Sequence, residues 1–420
     1  MTLDLQTLKN AIKGTAAAFR CVTDYQPAGG AGDKIFPPTY EGGKYATEER
    51  FDPATGEVRK CVLLDSVQSQ ANRMELALLE AHRAGNVSLP LLVTRFDQEK
   101  LLKKFTVNSL EAPHRVADAL FRDSLLNGTI FRKSEKGRML DTAEVRNATG
   151  LFGLCPTALV FGLWDSTGPR GGLGCKFQRA VVSEIVGYDA EAGVKTASRI
   201  DPAAIEKRAG PVFRTENGGW TLTPENAKKG ARGKSVLYKP RQGKDVEYDP
   251  SSERDIPDQG RPSVINHGNV TPSIAEGGFT LSSARQTTTL SLAVLRRLRF
   301  PLDGAVDSDH ETDLAARTTL AALGLAAGSL ARVDTDLRSR CQLFAEQEPV
   351  WELLDRPGES PQKFKLGPED ALKLLKEATA EAKDAGLPWE EEIKLTPSPD
   401  LVELVRRSQE LASTSGKEED

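Results

Sequence analysis

The sequence predicts a fold of mixed strands and helices, and three observations carry that prediction. A short apolar run, CVLLD at 61–65, passes directly into SVQSQANRMELALLEA, where Val67, Ala71, Met74 and Leu78 recur at helical spacing behind Ser66 as N-cap. Two apolar runs, 158–164 and 177–186, flank a glycine-rich turn and read as strands. Hydrophobic residues make up 39 % of the 420, enough for a core, and no apolar run nears the roughly 20 residues that span a bilayer.

The remaining elements follow in order. AAAFRCV at 16–22 reads as a first strand. The next segment, QPAGGAGDKIFPPTYEGGKY at 26–45, is too rich in Gly and Pro for regular structure; it is an ordered loop or a disordered arm, and the arm as a whole spans 26–60. A second helix is predicted over 114–126, with Val116, Ala119, Leu120 and Leu125 on its apolar side. Charged, Gly- and Pro-rich sequence without clear period fills 206–262 and reads as an insertion. FTLSSARQTTTLSLAVLRRLRFP at 279–301 reads as a short strand and then a helix that stops before Pro301. An Ala-rich helix over 313–331 and a strand over 341–354 close a body of 1–355. Helices at 368–385 and 399–412 form a C-terminal extension, 356–420.

Charge is unevenly spread. The formal net charge is -4, but residues 301–420 hold 14 Lys and Arg against 26 Asp and Glu, so the first 300 carry a balance of +8. A basic body with an acidic end suits a nucleic-acid partner and equally an ordinary solvated surface. Five cysteines form no CxxC pair and no even framework, and the first residues, MTLDLQTLKNAIKG, lack the basic flank and apolar stretch of a secretory leader. Reduced thiols in a cytoplasmic protein without a membrane segment are the expectation.

The motif richest in chemistry is STGPRGGLG at 166–174. Glycines let backbone N–H groups approach a phosphate closely. Arg170, Lys176 and Arg179 flank the turn with charge, while Ser166 and Thr167 add neutral donors. A long hairpin turn with surface arginines is the plainer reading. GARGKS at 230–235 resembles a P-loop only superficially, because Lys228 stands where that motif needs glycine. Gln68, Asn72 and Arg73 near a helix start can hold phosphate or sugar, or bond the strand ends internally. In INHGNVTPSI, His267 lacks an identifiable nucleophile or acid partner, so Asn266, His267 and Asn269 read as hydrogen-bonding groups of a tight loop. His82, His114 and His310 have no metal-ligand spacing, and DSDHETD at 307–313 reads as an acidic helix start rather than a cation site. No catalytic triad, paired-carboxylate site, metal site or cofactor fingerprint stands out.

Read together, LLDSVQSQANRMELALLE, LCPTALVFGLWDSTGPRGGLGCKFQRAVVSEIVG, SRIDP, INHGNVTPSI and QTTTLSLAVLRRLRFP resemble, in order from about residue 20 to 301, the backbone subunit of the type I-G (formerly I-U) CRISPR interference complex, a Cascade-like member of the RAMP superfamily. The resemblance implies an α+β fold: an RRM-like (ferredoxin-like) βαββαβ palm over 1–355, with the 26–60 arm and the 206–262 insertion as thumb and finger elements. It implies a non-catalytic protein without cofactor or metal, polymerising along crRNA in antiviral defence. Its partners would be crRNA, target DNA paired through the guide, further copies of itself and the other effector subunits. Base pairing then supplies sequence recognition.

On this reading the RNA-contacting candidates are Gln26, Lys34, Lys44 and Tyr45 in the arm; Gln68, Asn72, Arg73 and Arg122; Ser166, Thr167, Gly168, Arg170, Gly171, Gly172, Lys176 and Arg179 about the turn; and Asn266, His267, Asn269, Arg285 and Gln286. Usual RRM recognition stacks bases on paired aromatics in a KGFGFVxF-type strand. Aromatics make up 6 % here and no such strand is present, so no stacking residue is assigned. The alternatives are a RAMP ribonuclease cutting guide RNA with His267 or target RNA with an acidic residue, and a nucleotide-binding enzyme using the glycine turn.

Overall fold

The computed structural model describes residues 1–168, 175–239, 245–248, 256–333 and 335–419, with side chains to 413. It is an α+β protein that divides into two units, one of residues 1–97, 104–193 and 278–401, the other of 98–103, 194–277 and 402–420.

The first unit is built on a large sheet whose central strands run in the order Val350–Leu354, Ala18–Pro27, Ser283–Ser291, Val181–Tyr188, Glu57–Asp65, Thr47–Asp52, each antiparallel to its neighbour. Alternation decides which side of each strand is buried. In Ala18–Pro27 the buried set is Phe19, Cys21, Thr23 and Tyr25; in Ser283–Ser291 it is Ala284, Gln286, Thr288 and Leu290. Helices Val67–Arg83 and His310–Leu330 pack on that face. The N-cap predicted for the first is present, with Ser66 Oγ accepting from the Ser69 N–H at 3.2 Å.

The helix His310–Leu330 is buried from Thr312 to Ser329 all round. Such a helix must be apolar on every side, which explains its run of Ala and Leu. At Gly324 a Cβ would lie 3.0 Å from Val181 Cγ2 and 3.1 Å from Leu290 Cδ1, so glycine lets the helix settle onto the sheet.

Residues 356–401 are more than two helices. Helix Pro368–Asp384 packs on His310–Leu330, where Thr319 Oγ1 donates to the Ala378 carbonyl at 2.9 Å. Strand Ile393–Pro397 then enters a second sheet of five strands, parallel to Leu92–Phe96 and antiparallel to Ser124–Leu126.

Five local expectations are corrected, the first being that 341–354 is two strands, Cys341–Ala345 and Val350–Leu354, and not one. The 114–126 segment is a 3₁₀ turn, a one-turn helix Ala119–Arg122 and the strand Ser124–Leu126, because Arg115 takes a positive φ of 51° and breaks the helical path. The 158–164 run is helical, with Thr149–Leu154 and Pro156–Phe161 both buried, so burial on all sides erased the period that separates strand from helix. Glu57–Asp65 and Thr47–Asp52 form a hairpin inside the predicted arm. The 279–301 segment holds one long strand, Ser283–Ser291, and only a single helical turn, Leu292–Leu295. The arm proper, 26–45, is an ordered loop, held by Ile35 bridging Phe279 and by Phe36 N–H donating to Arg340 O at 2.8 Å.

In the second unit, strands Glu191–Arg199 and Val270–Thr280 pair as a ribbon that begins in the first unit and leaves most of its side chains exposed. The short hairpin Phe213–Arg214 and Trp220–Thr221 lies within the same unit, beside small apolar clusters around Val212 and Phe213. Residues 230–235 make a turn closed by the bridge Lys229↔Ser235, without the strand and helix a P-loop requires. Among the described residues no helix is long and apolar enough to cross a membrane.

Candidate nucleic-acid interface

In the first unit the WDSTG segment builds a groove. Helix Pro156–Phe161 ends at Gly162, whose φ of +88° turns the chain sharply. A Cβ there would meet Arg179 Cγ at 3.0 Å and the Phe177 carbonyl oxygen at 3.2 Å, so the position requires glycine twice over. The chain then runs as Leu163–Trp164, paired antiparallel with Lys176–Phe177. Leu163 and Phe177 face inward and are buried, which turns their neighbours Trp164 and Lys176 out to solvent side by side.

Asp165 organises the turn that follows. Its Oδ1 accepts from the Thr167 N–H at 3.1 Å and from the Thr167 hydroxyl at 3.0 Å. Its Oδ2 lies 3.0 Å from Arg132 Nη2, which also reaches Asp141 at 2.7 Å. The carboxylate is buried, and a short polar side chain bonding to the backbone two residues on fixes a turn without regular structure.

The result is a groove of about 480 Å³ lined by His114, Arg115, Phe161, Trp164, Ser166, Lys176, Gln178 and Arg179, among others. Lys176 and Arg179 are exposed and form no ion pair among the described residues; the Arg179 Nε–H donates to the Phe161 carbonyl at 3.2 Å. Beneath lies a buried ion pair. Arg115 Nε and Nη2 each lie 2.7 Å from an oxygen of Glu75, and Nη1 donates to the Gly162 carbonyl at 3.0 Å. Burial pushes the Glu75 carboxyl up to about 7, against the pull of Arg115. Two exposed cations without an ion pair among the described residues, beside exposed hydroxyls and a wide opening, form a surface suited to a phosphodiester chain.

The other sequence candidates lie elsewhere. Arg170, Gly171 and Gly172 fall outside the described residues. Gly168 follows Thr167 in the same turn. Gln286 is 2 % exposed on the helix-covered face: its Nε2 donates to Gln70 Oε1 at 2.6 Å and its Oε1 accepts from the Tyr25 hydroxyl at 2.9 Å. The strand's period of two turned Arg285 outward and Gln286 inward, so Gln286 is a member of a buried polar network and not a surface contact. That network continues through Gln70 Nε2 to Asp65 Oδ2 at 2.6 Å, and Asp65 accepts from Arg73 Nε at 2.9 Å. Arg73 also donates to the Leu337 carbonyl, which assigns it to the internal bonding named above as its alternative.

Arg285 pairs with Asp24 at 2.7 Å, and Arg122 pairs with Asp123 at 2.6 Å. The Tyr45 hydroxyl accepts from the Gly278 N–H, and its ring packs edge-on against Phe279. Gln26 is half-buried and sits opposite Phe344 in the sheet. Lys34 is half-buried, its ammonium 5.7 Å from the Phe36 ring centroid, while Lys44, Gln68 and Asn72 are exposed.

In the second unit SRIDP and INHGN close on each other. Asp201 Oδ2 accepts from the Gly268 N–H and lies 3.6 Å from His267 Nδ1, Asn269 Oδ1 accepts from the Asp201 N–H at 2.7 Å, and Arg199 donates to the Gly268 carbonyl at 3.0 Å. Backbone donors hold the Asp201 carboxyl below its ordinary range. Asn266 has φ 59°, a left-handed conformation that Asn tolerates. Half-exposed His267 is therefore one side of a clasp. All five cysteines are free and buried, and burial drives the Cys175 and Cys341 thiols up to about 12. No group of three or more metal-ligating side chains occurs among the described residues.

The residues sequence reasoning missed at the groove are Trp164, His114, Gln178 and Asp165. Trp164 alone left a signal: a large aromatic between an apolar run and a polar glycine turn, where neither helix nor core needs one.

No curated protein matches the chain. Residues 19–192 match the family model described as CRISPR-associated protein GSU0053. The helix Val67–Arg83, the glycine-rich turn and the whole groove lie inside that match, whereas SRIDP and INHGN lie beyond it. The match supports a role in CRISPR defence, and over residues 19–192, which contain the LLDSVQSQANRMELALLE and WDSTGPRGGLG strings, the chain is similar to a CRISPR-associated protein family.

Proposed function

We propose that the chain is a non-catalytic backbone subunit of a type I-G effector complex in the cytoplasm, binding crRNA through its phosphates and polymerising along it with further copies of itself. The observation that carries this reading is the groove in the family-matched segment, where Lys176 and Arg179 stand exposed, without an ion pair among the described residues, beside Ser166. The sheet order lends support. Taken in chain order, Ala18–Pro27, Val181–Tyr188, Ser283–Ser291 and Val350–Leu354 are the first to fourth strands of a βαββαβ unit, lying side by side as fourth, first, third, second. Helices Val67–Arg83 and His310–Leu330 supply its two crossovers, the arrangement of an RRM-like palm.

The open sheet face fits a palm that does not use its sheet to stack bases. Arg20 pairs with Glu352, Asp24 with Arg285 and Glu184 with Arg50, and the ring of Tyr188 lies under the Arg59 guanidinium at 4.8 Å. RNA contact then falls to loops, the groove among them.

The test is co-purification with and without a CRISPR array. Short RNAs of uniform length carrying repeat sequence, recovered with several copies of the chain, are the expected result. A particle free of RNA even when the neighbouring effector subunits are co-expressed would refute the proposal.

A further inference from the structure

We propose that Trp164 is a stacking platform for an unpaired base of single-stranded RNA, seated in the groove while Lys176 and Arg179 hold the flanking phosphates. This rests on the RNA-binding reading and gives it a specific ligand contact.

Four tryptophans are present, and they divide by surroundings. Trp351 is buried and donates to Ser329 Oγ at 3.2 Å; Trp389 is largely buried and donates to the Ser88 carbonyl at 3.0 Å. Trp164 is 68 % exposed. The neighbouring pair Leu163 and Phe177 lies inward, so the two-residue pairing holds the indole outward, opposite Lys176, by register. A large ring held in water by a fixed backbone, with the Gly162 turn behind it and Asp165 locking the turn ahead, is pre-organised for a flat partner.

Charge selects that partner. Lys176 is the direct cross-strand neighbour of Trp164, Arg179 lines the same groove, and neither forms an ion pair among the described residues, although the buried Glu75 carboxyl feels the Arg179 charge. His114 and Gln178 add ring nitrogens and an amide along the lining. An aromatic face flanked by cations matches a base with its phosphates, the combination that single-strand binders use without sequence preference. An acidic peptide would satisfy the cations and leave the indole bare.

The experiment uses the full chain carrying Trp220→Phe, which removes the other exposed indole. Indole emission is followed on titration with a twelve-nucleotide oligo(rA), and with an abasic oligomer of equal charge. Stacking predicts saturable quenching by the RNA alone. Trp164→Ala should weaken RNA binding about 5- to 100-fold, to the level of the abasic oligomer, and Trp164→Phe should retain most of the affinity. Equal RNA affinity for Trp164→Ala, without quenching, overturns the stacking contact and leaves the scaffold reading standing. Quenching that depends on protein concentration without RNA assigns Trp164 to a contact between copies and overturns it too. Failure of every form to bind RNA, in the particle co-expressed with the neighbouring effector subunits as well as alone, removes both proposals.

Discussion

Arg115 grips Glu75 with two parallel hydrogen bonds of 2.7 Å, inside the core and directly under the carbonyl of Gly162. The pair joins helix Val67–Arg83 to the floor of the groove. Arg115 reaches it only because its backbone takes a φ of 51°, the same departure that ends the helix predicted there.

That pair makes the fold sensitive to pH. Burial raises the Glu75 carboxyl from 4.5 to about 7 in the folded chain. Between those values the folded state keeps a proton that the unfolded state has lost, so this group's contribution to stability falls as pH rises from about 4.5 to 7. The full swing is on the order of 3 kcal/mol. Thermal melts of the wild type and Glu75→Gln across pH 5 to 8 should therefore converge or cross as pH rises. A difference independent of pH would show that Glu75 titrates at its ordinary value.

Lys176→Ala with Arg179→Ala removes the two exposed cations of the groove and leaves the Arg115–Glu75 pair beneath in place, at the loss of the Arg179 bond to the Phe161 carbonyl. Each lost phosphate contact should lower the slope of log affinity against log salt by about 0.7 for single-stranded RNA. The affinity loss should be the same for unrelated sequences. An unchanged slope would place the RNA elsewhere.

Asp165→Ala should act through shape. It frees Thr167 and leaves Arg132 in the interior with Asp141 as its remaining acidic partner. Removing one member of a buried ion pair costs about 3–5 kcal/mol, less here because Asp141 remains. RNA affinity measured well below the melting temperature should fall although both cations are intact. Affinity equal to wild type would mean the turn's conformation is irrelevant to binding.

Gln286→Leu tests whether this side chain serves the interior or the surface. Losing its amide leaves the Tyr25 hydroxyl without its acceptor, at about 1–3 kcal/mol for an unsatisfied group, while Gln70 Oε1 keeps the Ser183 hydroxyl as a donor. Denaturant midpoints should drop while RNA affinity of the folded protein stays the same. A selective loss of RNA binding at full stability would make Gln286 an RNA contact.

Asp201→Ala opens the clasp, since Gly268 N–H and His267 lose their shared acceptor. Limited proteolysis should then cut near 201–205 and 266–269 at rates well above wild type, while the large-sheet strands stay protected. Unaltered cleavage would show that the apolar cluster around Val212 holds the loop by itself.

Much of this protein was written locally. The Ser66 cap, the strand 61–65, the Ala-rich helix and the two C-terminal helices all follow from periods, caps and breakers within a dozen residues, and the structure has each. The WDSTG turn was legible as a cluster of glycine, hydroxyl and cation. The tertiary structure decided everything that depended on which neighbour a side chain meets. Whether 158–164 was strand or helix could not be read, because a segment buried on all sides has no polar face to mark its period. Whether Gln286 or Arg285 faced water depended on strand register, which is set across residues 18 to 291. EEIKLTP at 391–397 became a central strand only because Leu92–Phe96 offered it an edge. Trp164 became a groove wall because its partner strand fixed which side was out. Sequence specifies short-range preference through local sterics and hydrogen bonding; pairing across the chain depends on packing that no single segment contains.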